Sequence, residues 1–214
     1  KALLLAKHYI KNAIGQQVAI SLFSDTQKKF IPFTRDYDLV IARLSSIKED
    51  LYRSGGTNLT VAINDVVSLF RAKSGYNKGN ILIFTDAEET LGEVTLQVPK
   101  EINVALVGVG TLKGGPIPLR DRRGNFIGYK KFNGSEVQSK LDEDFIKKIG
   151  TSVSNFRYWV VGSYSLPTQQ ILDFFKTSQN KSKSKTTHQV QEVYTTKAVS
   201  AVLIIFIISI LMKM

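Results

Sequence analysis

Two oxygen-bearing side chains, Thr57 and Asp86, stand where an α/β protein places its ligand-binding residues. Asp86 follows the apolar run 81–84 and Thr85, whereas Thr57 follows a Gly-rich break and precedes a helical pattern. Ligands of open α/β sheets bind beyond the carboxyl ends of the strands, and hard oxygen atoms are the ligands that Mg²⁺ prefers. The pair could therefore form a magnesium site, but on spacing alone the favoured interpretation is that Thr57 only caps its helix and Asp86 only forms a turn.

A nucleotide site is not indicated. Gly108, Gly110 and Gly114 follow a predicted strand, as glycines do in a dinucleotide-binding loop. Lys113 stands in the place of the third glycine, and prolines replace the helix whose N-terminus would receive the pyrophosphate. The loop is therefore not expected to bind a nucleotide.

Catalytic groups are equally poorly represented. The two histidines, His8 and His188, have no nucleophile or metal-ligating cluster beside them, and Glu88 and Glu89 are adjacent acids of the kind that loops leave in solvent. The chain has no cysteine, which excludes disulfides, thiolate zinc sites and cysteine nucleophiles. We therefore expect a binding protein rather than an enzyme.

The chain is basic, with a formal net charge of +11 over 214 residues. Such a charge can mark a nucleic-acid-binding protein. Here a group of lysines stands just before an apolar C-terminal run, where cations meet anionic lipid head groups. They are Lys176, Lys181, Lys183, Lys185 and Lys197. The charge therefore favours a membrane surface as a partner over nucleic acid.

Apolar periodicity divides the chain into alternating helices and strands. Helical spacing and capping residues predict helices at 2–14, 36–53 and 59–70, after Asp142, and from Pro167 to Phe175. Apolar runs predict strands at 18–23, 30–33, 81–84, 104–109 and 156–161. Strands separated by helices predict a doubly wound, mostly parallel, Rossmann-like α/β sheet.

The segment after Gly110 predicts an insertion outside this sheet. It is rich in Gly and Pro, and it contains a turn at 122–125. Alternation at 126–131 and 136–141 predicts a small β-hairpin around Asn133 and Gly134.

The C-terminal part predicts a tether. A short helix at 164–175 would follow the main domain of residues 1–163, and residues 176–192 form a polar Lys/Ser linker that cannot fold alone. The run 198–212 carries no charge, and extension to 193–214 makes it long enough for a hydrocarbon core of about 30 Å. We therefore expect one C-terminal transmembrane helix.

The motifs in this order resemble the von Willebrand factor A (VWA) domain. They are the strand 18–23, the loop Gly55-Gly56-Thr57, the helix with Ala62-Ile63, the strand 81–84 with Thr85-Asp86, and the strand that ends Val107-Gly108-Val109-Gly110. Three further segments resemble the bacterial aerotolerance (Bat) branch of membrane-anchored VWA proteins. They are Gly115-Pro116-Ile117-Pro118, Asp121-Arg122-Arg123-Gly124-Asn125 and Ser139-Lys140-Leu141-Asp142-Glu143.

The resemblance implies a metal-ion-dependent adhesion site (MIDAS). Such a site combines an Asp-x-Ser-x-Ser loop, a later Thr and an Asp after a central strand, and Thr57 and Asp86 match the last two. The Asp-x-Ser-x-Ser element has no match and would lie on a central strand just before Lys1, so we expect an N-terminally truncated domain without its middle strand. Two departures from the family are the Pro99-interrupted segment 90–100, where a full helix is usual, and Ala87, where Gly is usual.

The function that the resemblance implies is capture of a partner protein at a bacterial cytoplasmic membrane. A partner carboxylate would complete the shell of Mg²⁺, or of Mn²⁺ or Ca²⁺, provided that the upstream loop exists. The implied partners are a MoxR-type AAA ATPase and other Bat proteins, in envelope assembly or stress tolerance. The sequence leaves open which side of the membrane holds the domain.

Two alternatives stay open at this point. In the first, the chain is a metal-independent scaffold subunit that makes its contacts through the sheet face or the 111–141 insertion. In the second, it is a hydrolase or a nucleotide enzyme, which rests on fold analogy alone.

Overall fold

The computed structural model describes eight stretches of the chain. They are residues 2–13, 15–23, 27–47, 58–74, 78–87, 95–121, 123–162 and 166–183. The elements in chain order are α1 (Ala2–Asn12), β1 (Val18–Phe23), β2 (Gln27–Thr34), α2 (Tyr37–Ser45), α3 (Leu59–Ser74), β3 (Gly79–Thr85), β4 (Ile102–Val109), β5 (Gly115–Pro116), β6 (Pro118–Arg120), β7 (Phe126–Tyr129), β8 (Lys131–Phe132), β9 (Ser135–Glu136), β10 (Gln138–Ser139), α4 (Glu143–Ser152), β11 (Phe156–Val161) and α5 (Thr168–Lys183).

The main sheet is parallel and has the strand order β11-β4-β3. All eight residues of β4 are buried, as expected of a central strand that is covered on both faces. A second sheet pairs β1 with β2 in antiparallel orientation. The alternation of strands and helices predicted an α/β fold with a parallel sheet, and this prediction is confirmed.

The two sheets lie in one layer between two helical layers. Even-numbered residues of β1 and β3, such as Ile20 and Leu82, pack with α1, α2 and α5, whereas odd-numbered ones, such as Ala19 and Ile83, pack with α3 and α4. Strands whose side chains alternate between the same two cores belong to one layer. Within the described residues, however, no ladder joins β1 to β3.

Capping residues fix the starts of the helices. The Asp36 carboxylate accepts a hydrogen bond from Leu39 N at 2.9 Å, and the Asn58 side chain accepts one from Val61 N at 2.9 Å. The prediction that α2 reaches Arg53 is wrong at its C-terminal end, because Ser46 closes the helix with bonds from its backbone N–H to Ala42 and Arg43. The ends of the other predicted helices and strands are confirmed to within a few residues. The exception is α5, which extends beyond Phe175 to Lys183.

Residues 111–141, here called the finger, leave the layer after β4 and return before α4. The finger contains three two-stranded ladders, β5 with β10, β6 with β7, and β8 with β9. They meet at a cycle of backbone hydrogen bonds: Ile117 N donates to Val137 O at 3.2 Å, Val137 N to Lys130 O at 2.8 Å, and Lys130 N to Ile117 O at 2.8 Å. The finger is therefore a junction of three short arms.

The predicted turn of the finger at Asn133 and Gly134 is confirmed, with φ of 48° and 84° at these two residues. The predicted pairing of 126–131 with 136–141 is wrong over most of its length, because β7 pairs with β6 and β10 pairs with β5. Register is weakly specified by sequence where neither face of a strand is buried, and the residues of β7 and β8 are almost all exposed.

The predicted membrane helix at 193–214 lies outside the described residues, as does most of the linker 176–192. Among the helices that the structure does describe, none has the length and apolar character that a membrane crossing requires.

Candidate functional site

The candidate site lies at the carboxyl edge of β3. Asp86 directly follows this strand and is only 6% exposed, so its carboxyl group is held in the protein rather than in solvent. A buried carboxyl group needs hydrogen bonds or cations to compensate its loss of hydration. Asp86 is therefore the described acidic residue whose placement best suits a ligand-binding role.

The backbone beside Asp86 has an unusual conformation. Ala87 has φ of 57° and is 1% exposed, so a residue with a side chain occupies the left-handed region in a buried position. Its N–H donates to Thr85 Oγ1 at 2.9 Å, which closes a tight turn around Asp86. The left-handed conformation explains why Gly is usual here in the family that the sequence resembles.

Asp142 meets Asp86 across the edge of the sheet. Its N–H lies 3.4 Å from Asp86 O, and its carboxylate caps α4 by accepting from Phe145 N at 2.9 Å. The N-terminus of α4 and the end of β3 therefore lie side by side. Sequence analysis identified Asp142 as a helix cap, but only the fold shows that it adjoins the candidate site.

Gly108 lies in tight packing against Leu141 at the end of β4. A Cβ atom at Gly108 would lie 3.0 Å from Leu141 Cδ1, and Leu141 is 2% exposed. Leu141 N also donates to Thr111 O at 3.2 Å, which holds the two ends of the finger together. The glycine therefore makes room for the base of the finger at the end of β4.

The second predicted ligand, Thr57, lies outside the described residues, as do Glu88, Glu89 and His188. His8 is exposed on α1, and no acidic residue stands near it in the sequence. In the stretches that the structure covers, no three His, Cys, Asp or Glu residues come together as a group that could hold a metal ion. Asp86 would therefore need oxygen ligands from outside these stretches to hold a cation.

Asp86 follows β3, which is an edge strand of the parallel sheet among the described residues. The resemblance puts the strand that carries Asp-x-Ser-x-Ser in the middle of the sheet, and the described strands leave β1 and β3 in separate sheets at this place. Its carboxyl end would face Asp86 if it ran parallel to β3. The arrangement is compatible with a composite oxygen site of the adhesion type.

The finger is a second feature of interest, and sequence analysis named it only as one possible contact surface of a scaffold. Six large apolar or aromatic side chains on it are exposed, namely Leu112, Leu119, Phe126, Ile127, Tyr129 and Phe132. The sequence shows apolar residues interleaved with Arg and Lys, and the structure adds that the other described elements leave these side chains exposed.

Comparison with known proteins agrees with this architecture. Residues 1–89, which run from α1 through Asp86, match the family model described as von Willebrand factor type A domain. No match to a curated protein was found. Two solved structures share the fold, and both cover most of this chain.

The first is BatB from Bacteroides thetaiotaomicron, with a TM-score of 0.70 and 23% sequence identity over 84% of this chain and 87% of that chain. The second is an aerotolerance-related membrane protein from Bacteroides fragilis, with a TM-score of 0.68 and 22% identity over 82% of this chain and 86% of that chain. At this level of identity the likeness shows the fold. The family match over residues 1–89 supports the predicted resemblance to a VWA domain, and the two structures share its fold.

Proposed function

We propose that this chain, which carries a VWA domain, is a membrane-anchored interaction module that binds a partner protein through a divalent cation held at Asp86. VWA domains commonly mediate protein interactions. The buried carboxyl group of Asp86 at the carboxyl edge of β3 is the observation that carries the proposal.

The position of Asp86 supports the proposal in three ways. The residue is buried, it lies at the edge where α/β sheets bind ligands, and it follows a strand that is at the edge of the described parallel sheet. Thr57 and an Asp-x-Ser-x-Ser loop, if one precedes Lys1, would supply the remaining oxygen ligands. A cation bound by such a set would offer an open coordination position to a partner's carboxylate.

We propose the apolar run 193–214 as the membrane anchor. The descriptions of two structural neighbours support a membrane setting. One neighbour is described as an aerotolerance-related membrane protein and the other as BatB. By this relation we propose the bacterial cytoplasmic membrane as the location. We further propose a MoxR-type AAA ATPase and other Bat proteins as candidate partners.

The experiment is a cation-binding measurement on the full native protein in detergent. Isothermal titration with Mn²⁺ should show binding to the unsubstituted protein and none to Asp86→Asn, because the amide removes the charge but keeps the shape. Asp144→Asn is the matched control, since Asp144 is exposed on α4 and its carboxylate touches only the exposed Lys147. Partner capture should fail in EDTA and in Asp86→Asn while the unfolding temperature stays close to that of the parent.

A metal-independent scaffold is the second candidate function, and the exposed apolar side chains of the finger favour it. If Asp86→Asn binds Mn²⁺ as the parent does, or if partner capture is unchanged in EDTA, the cation proposal is wrong. The scaffold would then be the better account of this domain.

A further inference from the structure

We propose that the finger is a docking surface for an acidic, apolar-bearing segment of a partner protein. The inference rests on the proposed function only in assuming that the domain binds a protein. It assigns the contact to residues 111–141 and needs no metal ion.

The exposed apolar side chains are the first support. Ile127 is 63% exposed, Phe132 62% and Phe126 52%, although Ile and Phe are among the residues that proteins bury most often. The rings of Phe126 and Tyr129 contact each other edge to face, with centroids 5.0 Å apart. Exposed aromatic groups that contact each other favour an interaction surface, because aromatic residues are the usual anchors of such surfaces.

The charge of the finger is the second support. Its sequence contains seven basic residues, Lys113, Arg120, Arg122, Arg123, Lys130, Lys131 and Lys140, and two acidic ones, Asp121 and Glu136. Arg123 and Lys131 are exposed near the tips of two of the arms. Lys130 is buried, so the described exposed cations are Lys113, Arg123, Lys131 and Lys140, and Lys131 lies opposite Glu136 in the β8–β9 ladder. The remaining excess of positive charge attracts acidic partners and repels a second copy of the finger.

One of the two acids, Asp121, closes the turn at the tip of the β6–β7 arm and keeps its negative charge. Its carboxylate accepts bonds from Arg123 N at 2.8 Å, Asn125 N at 2.9 Å and Asn125 Nδ2 at 3.0 Å. The bonds from Asn125, together with those from Arg123 and Gly124, hold the pKa of Asp121 below its usual value. The only acid of this tip is therefore used to close the turn.

The placement of the finger favours a protein over a lipid surface. Trp159 Nε1 donates to Gln170 Oε1 at 2.9 Å, and the Arg157 guanidinium lies 5.5 Å from the centre of the Phe174 ring, so α5 runs antiparallel to β11. The chain therefore continues toward its apolar C-terminal run from the amino edge of the sheet. The finger leaves from the opposite, carboxyl edge, because it follows the last residue of β4 and returns at Asp142 beside Asp86.

The test uses a single thiol label, which the absence of native cysteine makes clean. The full chain with Ile127→Cys carries an environment-sensitive fluorophore, and the matched control carries the same label at Lys100→Cys, an exposed position before β4. The probe is a synthetic peptide in which Glu alternates with Phe and Leu, titrated in EDTA. Counterparts replace Glu by Lys, or Phe and Leu by Ser.

We expect saturable binding of the Glu/Phe/Leu peptide with a blue shift at position 127 and none at position 100. Both counterpart peptides should bind about tenfold more weakly or worse, because each lacks one of the two attractions. Two unlabelled double variants should weaken binding by a similar factor. One combines Arg123→Glu with Lys131→Glu, and the other combines Phe126→Ser with Phe132→Ser. Lys100→Glu with Lys148→Glu, also exposed basic residues, should leave it unchanged.

Three results would overturn the inference. The first is that the acidic peptide shows no saturable binding, and the second is that the finger variants and the Lys100/Lys148 control bind it equally. The third is a blue shift at position 127 in phosphatidylglycerol nanodiscs but not on addition of peptide. The last would assign the finger to lipid. Because the titration is done in EDTA, retained binding by Asp86→Asn separates the inference from the cation proposal.

Discussion

Ala87 adopts a backbone conformation that L-amino acids rarely take, directly beside the buried carboxyl group of Asp86. The left-handed region costs a non-glycine residue about 1–2 kcal/mol. The bond from Ala87 N to Thr85 Oγ1 and the packing of its methyl group in the core beneath α3 offset part of this cost. The turn that presents Asp86 is therefore held by its surroundings.

We expect Ala87→Gly to change the free energy of unfolding by less than about 1 kcal/mol. Relief of strain by about 1–2 kcal/mol is balanced by the lost methyl burial and the larger chain entropy of Gly, each about 0.5–1 kcal/mol. Ala87→Val should destabilise by about 2 kcal/mol or more, because a β-branched residue fits this φ poorly and overfills the core. Urea unfolding of the full chain in detergent, followed by the fluorescence of Trp159, measures both.

Equal effects of the Gly and Val substitutions would contradict the left-handed turn. Sequence alone predicted Asp86 as a candidate ligand and identified Ala87 as a departure from a family pattern. It could not predict the neighbour Asp142, because a contact between residues so distant along the chain depends on the fold.

At the scale of elements, a buried polar pair fixes the register of two strands. Asn80 on β3 lies opposite Asn103 on β4, and Asn103 Nδ2 donates to Asn80 Oδ1 at 2.7 Å. Both side chains are almost fully buried, and Asn80 Nδ2 has no hydrogen-bond partner among the described residues. A register shift of one residue would place both amides against apolar groups.

We expect Asn103→Val to lower the free energy of unfolding by about 1–3 kcal/mol, because it leaves the Asn80 amide buried without its partner. The double variant Asn80→Val with Asn103→Val should recover most of this loss, since apolar β-branched residues suit both strands and no polar group is then orphaned. A double-mutant cycle by thermal unfolding measures the coupling between the two positions. Strictly additive losses would show that the pair does not act as a unit.

The main elements follow from sequence because apolar periodicity directly reflects burial, as in the stripe Leu59, Ile63, Val66 of α3. The finger does not, because its short arms are exposed on nearly all sides and their pairing depends on the junction at Ile117, Lys130 and Val137. The early end of α2 at Ser46 was also hidden, since the apolar pattern continues past it to Ile47 and Leu51.

At the scale of the whole molecule, the direction of α5 separates two ends. Tyr9 of α1 and Phe175 of α5 pack edge to face with ring centroids 6.5 Å apart, so the last helix is part of the main core. It carries the chain to the amino edge of the sheet, whereas Asp86 and the finger occupy the carboxyl edge. The candidate binding edge and the end of α5 therefore lie toward opposite edges of the sheet.

The last prediction concerns that anchor. If the run 193–214 spans the membrane, the native protein should stay with membranes through washes with high salt and with alkaline carbonate. Ile204→Arg with Ile208→Arg should release it, because each Arg at the centre of a span costs about 2.5–3.5 kcal/mol. Lys181→Gln with Lys183→Gln is the control, since each Lys near an anionic surface contributes about 1 kcal/mol and only at low salt. Release of the Lys variant together with retention of the Arg variant would contradict the prediction. It would mean that charge, and not a membrane span, holds the chain at the surface.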